Sequence, residues 1–206
     1  MKISLIHPSK GRPYQAALTF RKWMDNASGK YEIEYILGLD DNDATVDQYV
    51  GLFQEPIQLA ITSSRSCVAG ANAAAKLSSG DIIVLVSDDF ECPKDWDIIL
   101  SDAMPLNKKA AIQVDDGITN FAELLTIPII NRLMYEHLGY IYHPAFSNMF
   151  ADNYLYDVCK KHIIKVKEVF QHNHYVNGMR KKDAVDQAHG SEKQYLAGKK
   201  IYESLR

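Results

Sequence analysis

The length, composition and charge of the chain exclude several classes of protein. Its 206 residues are 47% hydrophobic and 24% charged, which is ordinary for a globular chain that buries one sizeable core. The formal net charge is −3, and there is no long basic run beyond residues 180–182, which argues against nucleic acid as a partner. We therefore expect one globular domain that does not bind nucleic acid.

The cysteines and the apolar runs bear on the cellular compartment. Cys67, Cys92 and Cys159 are far apart and form no C-x-x-C pair, so the sequence predicts neither a disulfide framework nor a structural zinc site. The apolar run at residues 3–6 is too short for a signal peptide, and nowhere do about eighteen apolar residues follow one another. These features predict a soluble, cytoplasmic protein with reduced thiols.

The first half of the chain alternates predicted strands and helices, which is typical of β-α-β units. The predicted strands span residues 3–6, 31–39 and 57–61. Pro13 suits the first position of a helix that ends between residues 26 and 29. Residues 68–77 predict an alanine-rich helix whose small side chains allow a close approach to the sheet.

The run GDIIVLVSDDF at residues 80–90 organises the rest of the sequence. Five consecutive apolar residues end in Asp88 and Asp89, which is typical of a strand buried on both faces in the middle of a sheet. Ligands of open α/β sheets bind outside the carboxyl ends of the strands. Two adjacent carboxylates there repel each other unless a cation neutralises them. A solvated acidic turn that caps a helix starting near Pro93 is the alternative.

Two further polar loops follow predicted strands. The second strand ends in DDND at residues 40–43, which lacks the glycine and the distal glutamate of an EF-hand calcium loop. The third strand is followed by SSRS at residues 63–66. Because three polar loops converge on one edge of one sheet, a ligand site is favoured over three unrelated turns.

The sequence resembles family 2 glycosyltransferases with the GT-A fold. The runs GANAAA at residues 70–75, SGD at 79–81 and SDD at 87–89 resemble the nucleotide-sugar-binding core of that family. The loops IHPSKGR at residues 6–12 and LDD at 39–41 are similar to its uridine-contacting loops in kind and in order. The resemblance covers residues 1–100 well and the rest loosely. It implies a Rossmann-like α/β fold with a mixed, mostly parallel central sheet flanked by helices.

The resemblance also implies roles for the residues at matching positions. Asp89 would hold Mg²⁺ or Mn²⁺ against the donor diphosphate, and Asp88 would bind a sugar or ribose hydroxyl. The motif is Ser-Asp-Asp where the commoner form is Asp-x-Asp, so a serine stands at one carboxylate position. The other expected nucleotide-binding residues are Pro8 and Ser9 at the base, Asp40 or Asp41 at the uracil edge or ribose, Lys10, Arg12 or Arg65 at the diphosphate, and Asn72 on the alanine-rich helix.

The second half is expected to supply the acceptor site and the base. Its predicted elements are a strand at residues 110–114, an apolar run at 126–130, a short helix at 131–137 closed by Gly139, and a late strand at 163–170. Asp152 stands where a helix N-cap is expected. In the resembled family an acidic residue that opens the helix after the acceptor loop is the general base, which implies that role for Asp152, with Asp157 as the alternative.

Two histidines and a basic run follow the late strand. His172 and His174 point to the same side of an extended chain, and the resemblance implies that one of them contacts the metal or the diphosphate. Hydrogen-bonded histidines at a strand end are the alternative, because a zinc site requires more ligands. Residues 181–206 predict a C-terminal helix, and the basic residues 180–182 predict a solvated face rather than a flap over the diphosphate.

These features together predict a single GT-A-like domain with a nucleotide-sugar-binding half (1–100), an acceptor and catalytic half (101–180) and a C-terminal helix or flap (181–206). The expected activity is the metal-dependent, inverting transfer of a sugar from a nucleotide diphosphate, a UDP-sugar before others, to a hydroxyl acceptor. A nucleotidyltransferase acting on a sugar phosphate and a non-catalytic nucleotide- or sugar-binding domain are the alternatives. A glycosidase is disfavoured because adjacent Asp88 and Asp89 leave no room for a sugar between them. A partner chain or a homo-oligomer stays open, because the chain is short for the resembled family.

Overall fold

The computed structural model describes residues 1–53, 56–64, 66–175, 178–182 and 191–206. The strands are β1 Lys2–Pro8, β2 Glu32–Asp40, β3 Gln58–Thr62, β4 Ile82–Leu85, β5 Ala111–Asp115, β6 Ile129–Asn131 and β7 Ile163–Val169. The helices are α1 Pro13–Asp25, α2 Val46–Leu52, α3 Cys67–Leu77, α4 Trp96–Ala103, α5 Arg132–Leu138, α6 Ala151–Cys159 and α7 Glu192–Leu205, with a 3₁₀ turn at Lys160–His162.

The strands form a seven-stranded sheet in the order β3-β2-β1-β4-β6-β5-β7. β1 is parallel to β2 and to β4, and β2 is parallel to β3. β6 is antiparallel to β4 and β5, whereas β5 and β7 are parallel. The prediction of a mixed, mostly parallel sheet is therefore confirmed.

β4 is the middle strand of this sheet, as the sequence predicts. All four residues of β4 are buried, because branched apolar side chains cover both faces of the strand. Val86 extends the pairing beyond the strand, since its N–H donates to the carbonyl of Ile6 at 2.8 Å. The acidic pair that follows therefore emerges at the centre of the carboxyl edge of the sheet.

α3 lies close against the carboxyl half of β2. A Cβ atom on Gly38 would lie 2.1 Å from the carbonyl oxygen of Gly70, so neither strand nor helix leaves room for a side chain there. The alanines that face the sheet, Ala71, Ala74 and Ala75, are buried. The prediction of a close helix–sheet approach is confirmed, and it brings the first turn of α3 to the carboxyl edge.

Two local predictions differ from the structure. α6 begins at Ala151 after Phe150, which has a φ of 68°, so Asp152 lies in the first turn and is not the N-cap. α4 begins at Trp96 rather than near Pro93. The predicted C-terminal helix is observed at Glu192–Leu205, where the Ser191 side chain caps its start by accepting from the Gln194 N–H, and residues 183–190 of the predicted stretch lie outside the described residues.

The short helix α5 shows the predicted boundary signals. Asn131 caps its start by accepting from the Met134 N–H, and Gly139 ends it with a φ of 76°. Of the three cysteines, Cys92 and Cys159 are buried and Cys67 is exposed, and none forms a disulfide. Within the described part of the chain, no helix has the length and apolar character that a membrane span requires.

Candidate active site

A cavity of about 380 Å³ opens at the carboxyl edge of the sheet. Its walls come from the loops after β1 and β4, the end of β2, the first turns of α3 and α6, and the segment after β7. Ten of the residues expected from the sequence line it: Pro8, Ser9, Lys10, Arg12, Asp40, Asp88, Asp89, Asp152, His172 and His174. The topology therefore gathers into one cavity residues that lie far apart along the chain.

Asp88 is held by donors from the end of β1 and from the loop that follows it. Its Oδ1 lies 3.1 Å from His7 Nε2 and 2.9 Å from Ser9 Oγ, and its Oδ2 lies 3.9 Å from Arg12 Nη1. The Asp88 side chain is only 7% exposed. A carboxylate that is so buried requires donors in fixed positions, and the last residues of β1 and the loop that follows supply them.

Asp89 has a separate set of partners. Ser87 Oγ donates to its Oδ1 at 2.9 Å, while Arg180 Nη2 and His172 Nε2 lie 3.1 Å and 3.5 Å from its Oδ2. Burial raises the pKa of the Asp89 carboxyl, but the hydrogen bonds from His172 and Ser87 and the charge of Arg180 outweigh it, so the pKa lies well below its usual range. Asp89 is therefore an ionised carboxylate in the cavity wall.

The contact with Arg180 corrects the expectation of a solvated basic face. Arg180 turns toward Asp89, whereas Lys181 and Lys182 are exposed. Local sequence patterns indicate only that this run is basic, because the partner of Arg180 is far away along the chain.

The segment after β7 is attached to the Asp89 loop through its backbone. The Asn173 N–H donates to the Asp89 carbonyl at 2.8 Å, and His172 forms an antiparallel bridge with Phe90. The rings of His172 and His174 lie on the same side of the chain, with their centroids 4.9 Å apart. Both histidines line the cavity, and His172 is the one in contact with Asp89.

Asp152 is an acidic side chain with few donors. Burial raises the pKa of its carboxyl, and backbone hydrogen bonds, with the Asn153 N–H at 2.9 Å, offset only part of that effect. A carboxylate with a raised pKa is a stronger base than one in water. Its position in the first turn of α6 places this group in the same cavity as Asp88 and Asp89.

A charged pair lies at the end of β2. Lys10 Nζ lies 2.7 Å from Asp40 Oδ2, and Asp40 is buried. The pair presents a donor and an acceptor side by side at the cavity wall, which is the pattern that a base edge with an N–H next to a carbonyl would match.

Two of the expected nucleotide-binding residues that the structure describes do not line this cavity. Asp41 is exposed beside it. The carboxamide of Asn72 donates to the Tyr142 carbonyl at 2.7 Å and accepts from the N–H groups of Ile141 and Tyr142, so it stabilises that loop instead of binding a nucleotide. Arg65 lies outside the described residues.

Several residues of the cavity wall carried no recognisable signal in the sequence. They are Cys67, Thr126, Tyr142, Asn148, Met149 and Tyr175. Cys67 lies in the first turn of α3 and is exposed to solvent, but the protein atoms around its thiol and the charges of Asp88 and Asp89 raise the pKa of that thiol above its ordinary value. The others come from loops of the second half, which only the folded topology brings to this edge.

The donor set can be tested against a divalent cation. Among the described residues there is no group of three or more His, Cys, Asp or Glu side chains that could hold a metal ion. Asp89 and His172 nevertheless form a pair of suitable ligands. Mg²⁺ in proteins is commonly held by one or two carboxylates together with substrate phosphates and waters. The residues therefore fit a cation that is completed by a diphosphate rather than one held by protein ligands alone.

Comparison with solved structures shows that the chain has a GT-A-like glycosyltransferase fold. No protein-family model matches the chain, and no curated protein matches it in sequence. The similarity is in three-dimensional structure at 10–14% sequence identity, so it establishes the fold and not the activity.

Three solved structures illustrate this similarity. TarS 1–349 from S. aureus with UDP-GlcNAc has a TM-score of 0.67 at 12% identity over 98% of this chain and 65% of that chain. Glucosyl-3-phosphoglycerate synthase from Mycobacterium tuberculosis with Mg²⁺ and UDP has a TM-score of 0.63 at 13% identity over 98% and 79%. A Drosophila β1,4-galactosyltransferase 7 mutant with manganese, UDP-Gal and xylobiose has a TM-score of 0.59 at 10% identity over 93% and 79%. In a comparison with a second structure of TarS 1–349, this chain covers only 60% of the length of TarS 1–349.

Proposed function

We propose that this chain is a glycosyltransferase that transfers a sugar from a nucleotide diphosphate, a UDP-sugar before others, to a hydroxyl group of an acceptor. One observation carries the proposal: a single cavity contains the Lys10–Asp40 pair, the adjacent Asp88 and Asp89, and the half-buried Asp152. The structures with the same fold, which were solved with UDP, UDP-GlcNAc, UDP-Gal or GDP-Man, support this reading.

In this proposal the nucleotide lies along the carboxyl ends of β1 and β2. Pro8 and Ser9 line the base, the Lys10–Asp40 pair binds its polar edge, and Asp88 accepts from a ribose or sugar hydroxyl. Arg12 and Arg180 face the diphosphate, because the planar guanidinium group matches phosphate oxygens. The proposed division of the chain into a donor half at residues 1–100 and an acceptor half at 101–180 follows from this arrangement.

Asp89 and His172 would hold Mg²⁺ or Mn²⁺ in this site. When bound, such a cation neutralises the negative charge that develops on a diphosphate leaving group. The protein prepares for this by keeping Asp89 ionised through its neighbours Ser87, His172 and Arg180.

Asp152 is the proposed general base. A base of raised pKa at the wall of the donor cavity can take the proton of an acceptor hydroxyl as that oxygen attacks the anomeric carbon. Attack in line with the departing diphosphate inverts the configuration at that carbon. The nearby Asp157 is a weaker candidate, because it accepts from the Tyr202 hydroxyl at 2.7 Å and lies 3.2 Å from Arg206 Nε.

The geometry of the β1 loop disfavours the nucleotidyltransferase alternative. A glycine-rich phosphate loop offers backbone N–H groups to phosphate oxygens. Here the Gly11 N–H already donates to Asp43 Oδ2 at 2.7 Å. The backbone N–H of Gly11, which a phosphate would need as a donor, is therefore already engaged in a hydrogen bond to the loop after β2.

The proposal is tested by calorimetric titration of UDP, GDP and CDP, with Mn²⁺ and with a chelator. We expect metal-dependent binding of one nucleotide by the wild type and its loss in Asp89→Ala. Asp41→Ala is the matched control, because it removes an exposed carboxylate next to the cavity.

Turnover of the donor then tests catalysis. Release of the nucleotide from the corresponding nucleotide sugar should require the same metal and should be lost in Asp89→Ala. If the folded wild-type protein binds none of the three nucleotides, the proposal is wrong. Binding without any turnover of nucleotide sugars and acceptors would favour the non-catalytic alternative.

A further inference from the structure

A buried hydrogen-bonded chain lies behind Asp88. Tyr35 on β2 and His7 on β1 are 3% and 0% exposed, and neither is among the residues that line the cavity. The Tyr35 hydroxyl and His7 Nδ1 are hydrogen-bonded, and His7 Nε2 lies 3.1 Å from Asp88 Oδ1. Two side chains from the interior of the sheet are thereby connected to a carboxylate in the cavity wall.

The donor-to-acceptor direction of these hydrogen bonds follows from the groups at the two ends of the series. The Asp88 carboxylate can only accept, so His7 Nε2 carries a proton and donates to it. In the neutral ring Nδ1 is then an acceptor, and it accepts from the Tyr35 hydroxyl. Burial, with a contribution from the charge of Asp88, raises the pKa of Tyr35 well above its usual value, which keeps that hydroxyl a donor. Each donor therefore points toward Asp88.

A second arm reaches the same carboxylate from the other side. Ser9 Oγ lies 2.9 Å and 3.1 Å from the two carboxylate oxygens and 2.8 Å from the Tyr49 hydroxyl, and Tyr49 is fully buried. The Arg12 N–H in turn donates to the Tyr49 oxygen at 3.0 Å. With one arm through His7 and one through Ser9, the orientation of the Asp88 carboxylate is fixed by groups that are themselves fixed.

This arrangement separates two carboxylates that are adjacent in sequence. Asp88 is held by β1, whereas Asp89 is held by Ser87, His172 and Arg180. Without the donor at His7, the buried Asp88 would lose a charge-assisted hydrogen bond and would reorient toward other donors or water. The position of Asp88 in the donor site therefore depends on a residue that no ligand would touch.

We propose that Tyr35 and His7 are positioning residues of the donor site, which hold Asp88 so that its carboxylate accepts a ribose hydroxyl of the nucleotide. The inference rests on the proposed function. It goes further in assigning recognition of the ribose to a chain of residues behind the site. A purely structural role, in which Tyr35 and His7 only satisfy each other inside the sheet, makes a different prediction.

The test compares UDP with 2′-deoxy-UDP and 3′-deoxy-UDP by calorimetry in the presence of Mn²⁺. The wild type should bind UDP at least about tenfold more tightly than the weaker-binding deoxy analogue, since a hydrogen bond to a charged acceptor is lost. Tyr35→Phe and His7→Leu should reduce that ratio to about threefold or less, whereas His7→Gln, which retains a donor, should keep more of it.

Thr19→Val is the matched control. Thr19 is buried and its hydroxyl donates to the backbone carbonyl of Asp88 at 3.1 Å, so the variant removes a polar group near Asp88 without touching the carboxylate. Its preference for UDP over the deoxy analogues should equal that of the wild type. If His7→Leu does not fold, Tyr35→Phe decides the outcome, because it removes a single oxygen.

The outcomes separate this inference from the proposed function. Wild-type binding with a ribose preference that survives in both Tyr35→Phe and His7→Leu overturns the inference alone. Equal weakening of UDP and its deoxy analogues, with an unchanged ratio, shows a purely structural role and overturns it as well. A folded wild type that binds no nucleotide diphosphate overturns the proposed function, and the inference with it.

Discussion

At the amino edge of the sheet, Glu34 on β2 is surrounded by donors that belong to the protein itself. Its carboxylate accepts from Ser4 Oγ at 2.5 Å and from the Ser79 N–H at 2.6 Å, and it lies 2.9 Å from Lys2 Nζ. Burial raises the pKa of Glu34, but these hydrogen bonds outweigh it and lower the pKa to about 2. A second cation, Arg132, donates to the Gly80 carbonyl nearby.

At the carboxyl edge, the carboxylate of Asp152 has a different environment. Asp152 is half-buried, and burial raises the pKa of its carboxyl because the donors around it are too few to offset that effect. At the amino edge, the protein's own hydrogen bonds therefore satisfy the carboxylate of Glu34. At the carboxyl edge, the carboxylate of Asp152 has too few donors to offset its burial. A carboxylate in a cavity with too few hydrogen-bond donors is typical of a binding or catalytic site. In a structural cluster, the carboxylate has its full set of donors.

The largest effect is expected at Asp152. Asp152→Asn should lower the rate of sugar transfer by about 10²–10⁴-fold while leaving the affinity for the nucleotide unchanged, because a general base contributes in that range. Steady-state release of UDP from a UDP-sugar with the acceptor present measures it. Asp157→Asn removes the same charge from the same helix and serves as the control. Equal rates for Asp152→Asn and the wild type would contradict the assignment.

The next effect is expected at the opposite edge. Glu34→Gln should lower the free energy of unfolding by about 1–3 kcal/mol, because the amide cannot accept all the hydrogen bonds of the carboxylate. Nucleotide affinity should not change. Urea unfolding measures the loss, and Glu32→Gln is a control, since Glu32 is exposed on the same strand and also pairs with Lys2. A loss of nucleotide binding in folded Glu34→Gln would break the distinction between the two edges.

The pH dependence of stability should have opposite signs at the two edges. The lowered pKa of Glu34 stabilises the fold above its ordinary value of 4.5, and this stabilisation is lost as the pH falls from 4.5 toward 2. The raised pKa of Asp152 costs stability when the group is ionised, so that cost disappears as the pH falls toward 3.8.

Denaturant unfolding of the wild type and both variants between about pH 7 and pH 3 tests these signs. Asp152→Asn should be more stable than the wild type at pH 7, and the difference should shrink on acidification. Glu34→Gln should be less stable at pH 7, with a difference that also shrinks. If both variants are more stable than the wild type at pH 7, or both are less stable, the two edges do not differ in this way.

The smallest and most local effect concerns Cys67. The raised pKa of its thiol leaves less thiolate near neutral pH, so alkylation should be slower than that of an unperturbed thiol, by a margin that the exposure of Cys67 to solvent keeps small. Mass spectrometry after treatment with iodoacetamide measures the rate at Cys67, and bound UDP with Mn²⁺ should lower it further. Denatured protein provides the reference rate for each cysteine. Fast labelling that ignores the nucleotide would place Cys67 outside the site.

Local patterns predicted much of the fold and part of the site. The apolar run before Asp88, the alanines of α3 and the Asn131 and Gly139 ends of α5 depend on neighbours within a few residues, so sequence periodicity and capping rules apply to them directly. The acidic loops at the ends of β2 and β4 follow from the rule that parallel strands place their carboxyl ends at one edge.

Other features depended on which distant segments pack together. The sequence showed that residues 126–130 are apolar, but only the sheet order makes β6 an antiparallel strand between β4 and β5. Asn72 looked like a binding residue until the fold placed the backbone of Tyr142 beside it. Arg180 looked solvated because its partner Asp89 is 91 positions away along the chain.

By itself, the sequence determined the strands of the donor half, its helices α1 and α3, the acidic edge and most of the charged residues in the cavity wall, because these follow from short-range periodicity and strand polarity. Only the tertiary structure decided which hydrogen-bond and ion-pair partners each carboxylate has. His7 holds Asp88, Arg180 and His172 hold Asp89, and Asp152 is left with few donors. The pKa of a carboxyl depends on burial and on nearby donors, and both are set by long-range packing rather than by neighbours in sequence.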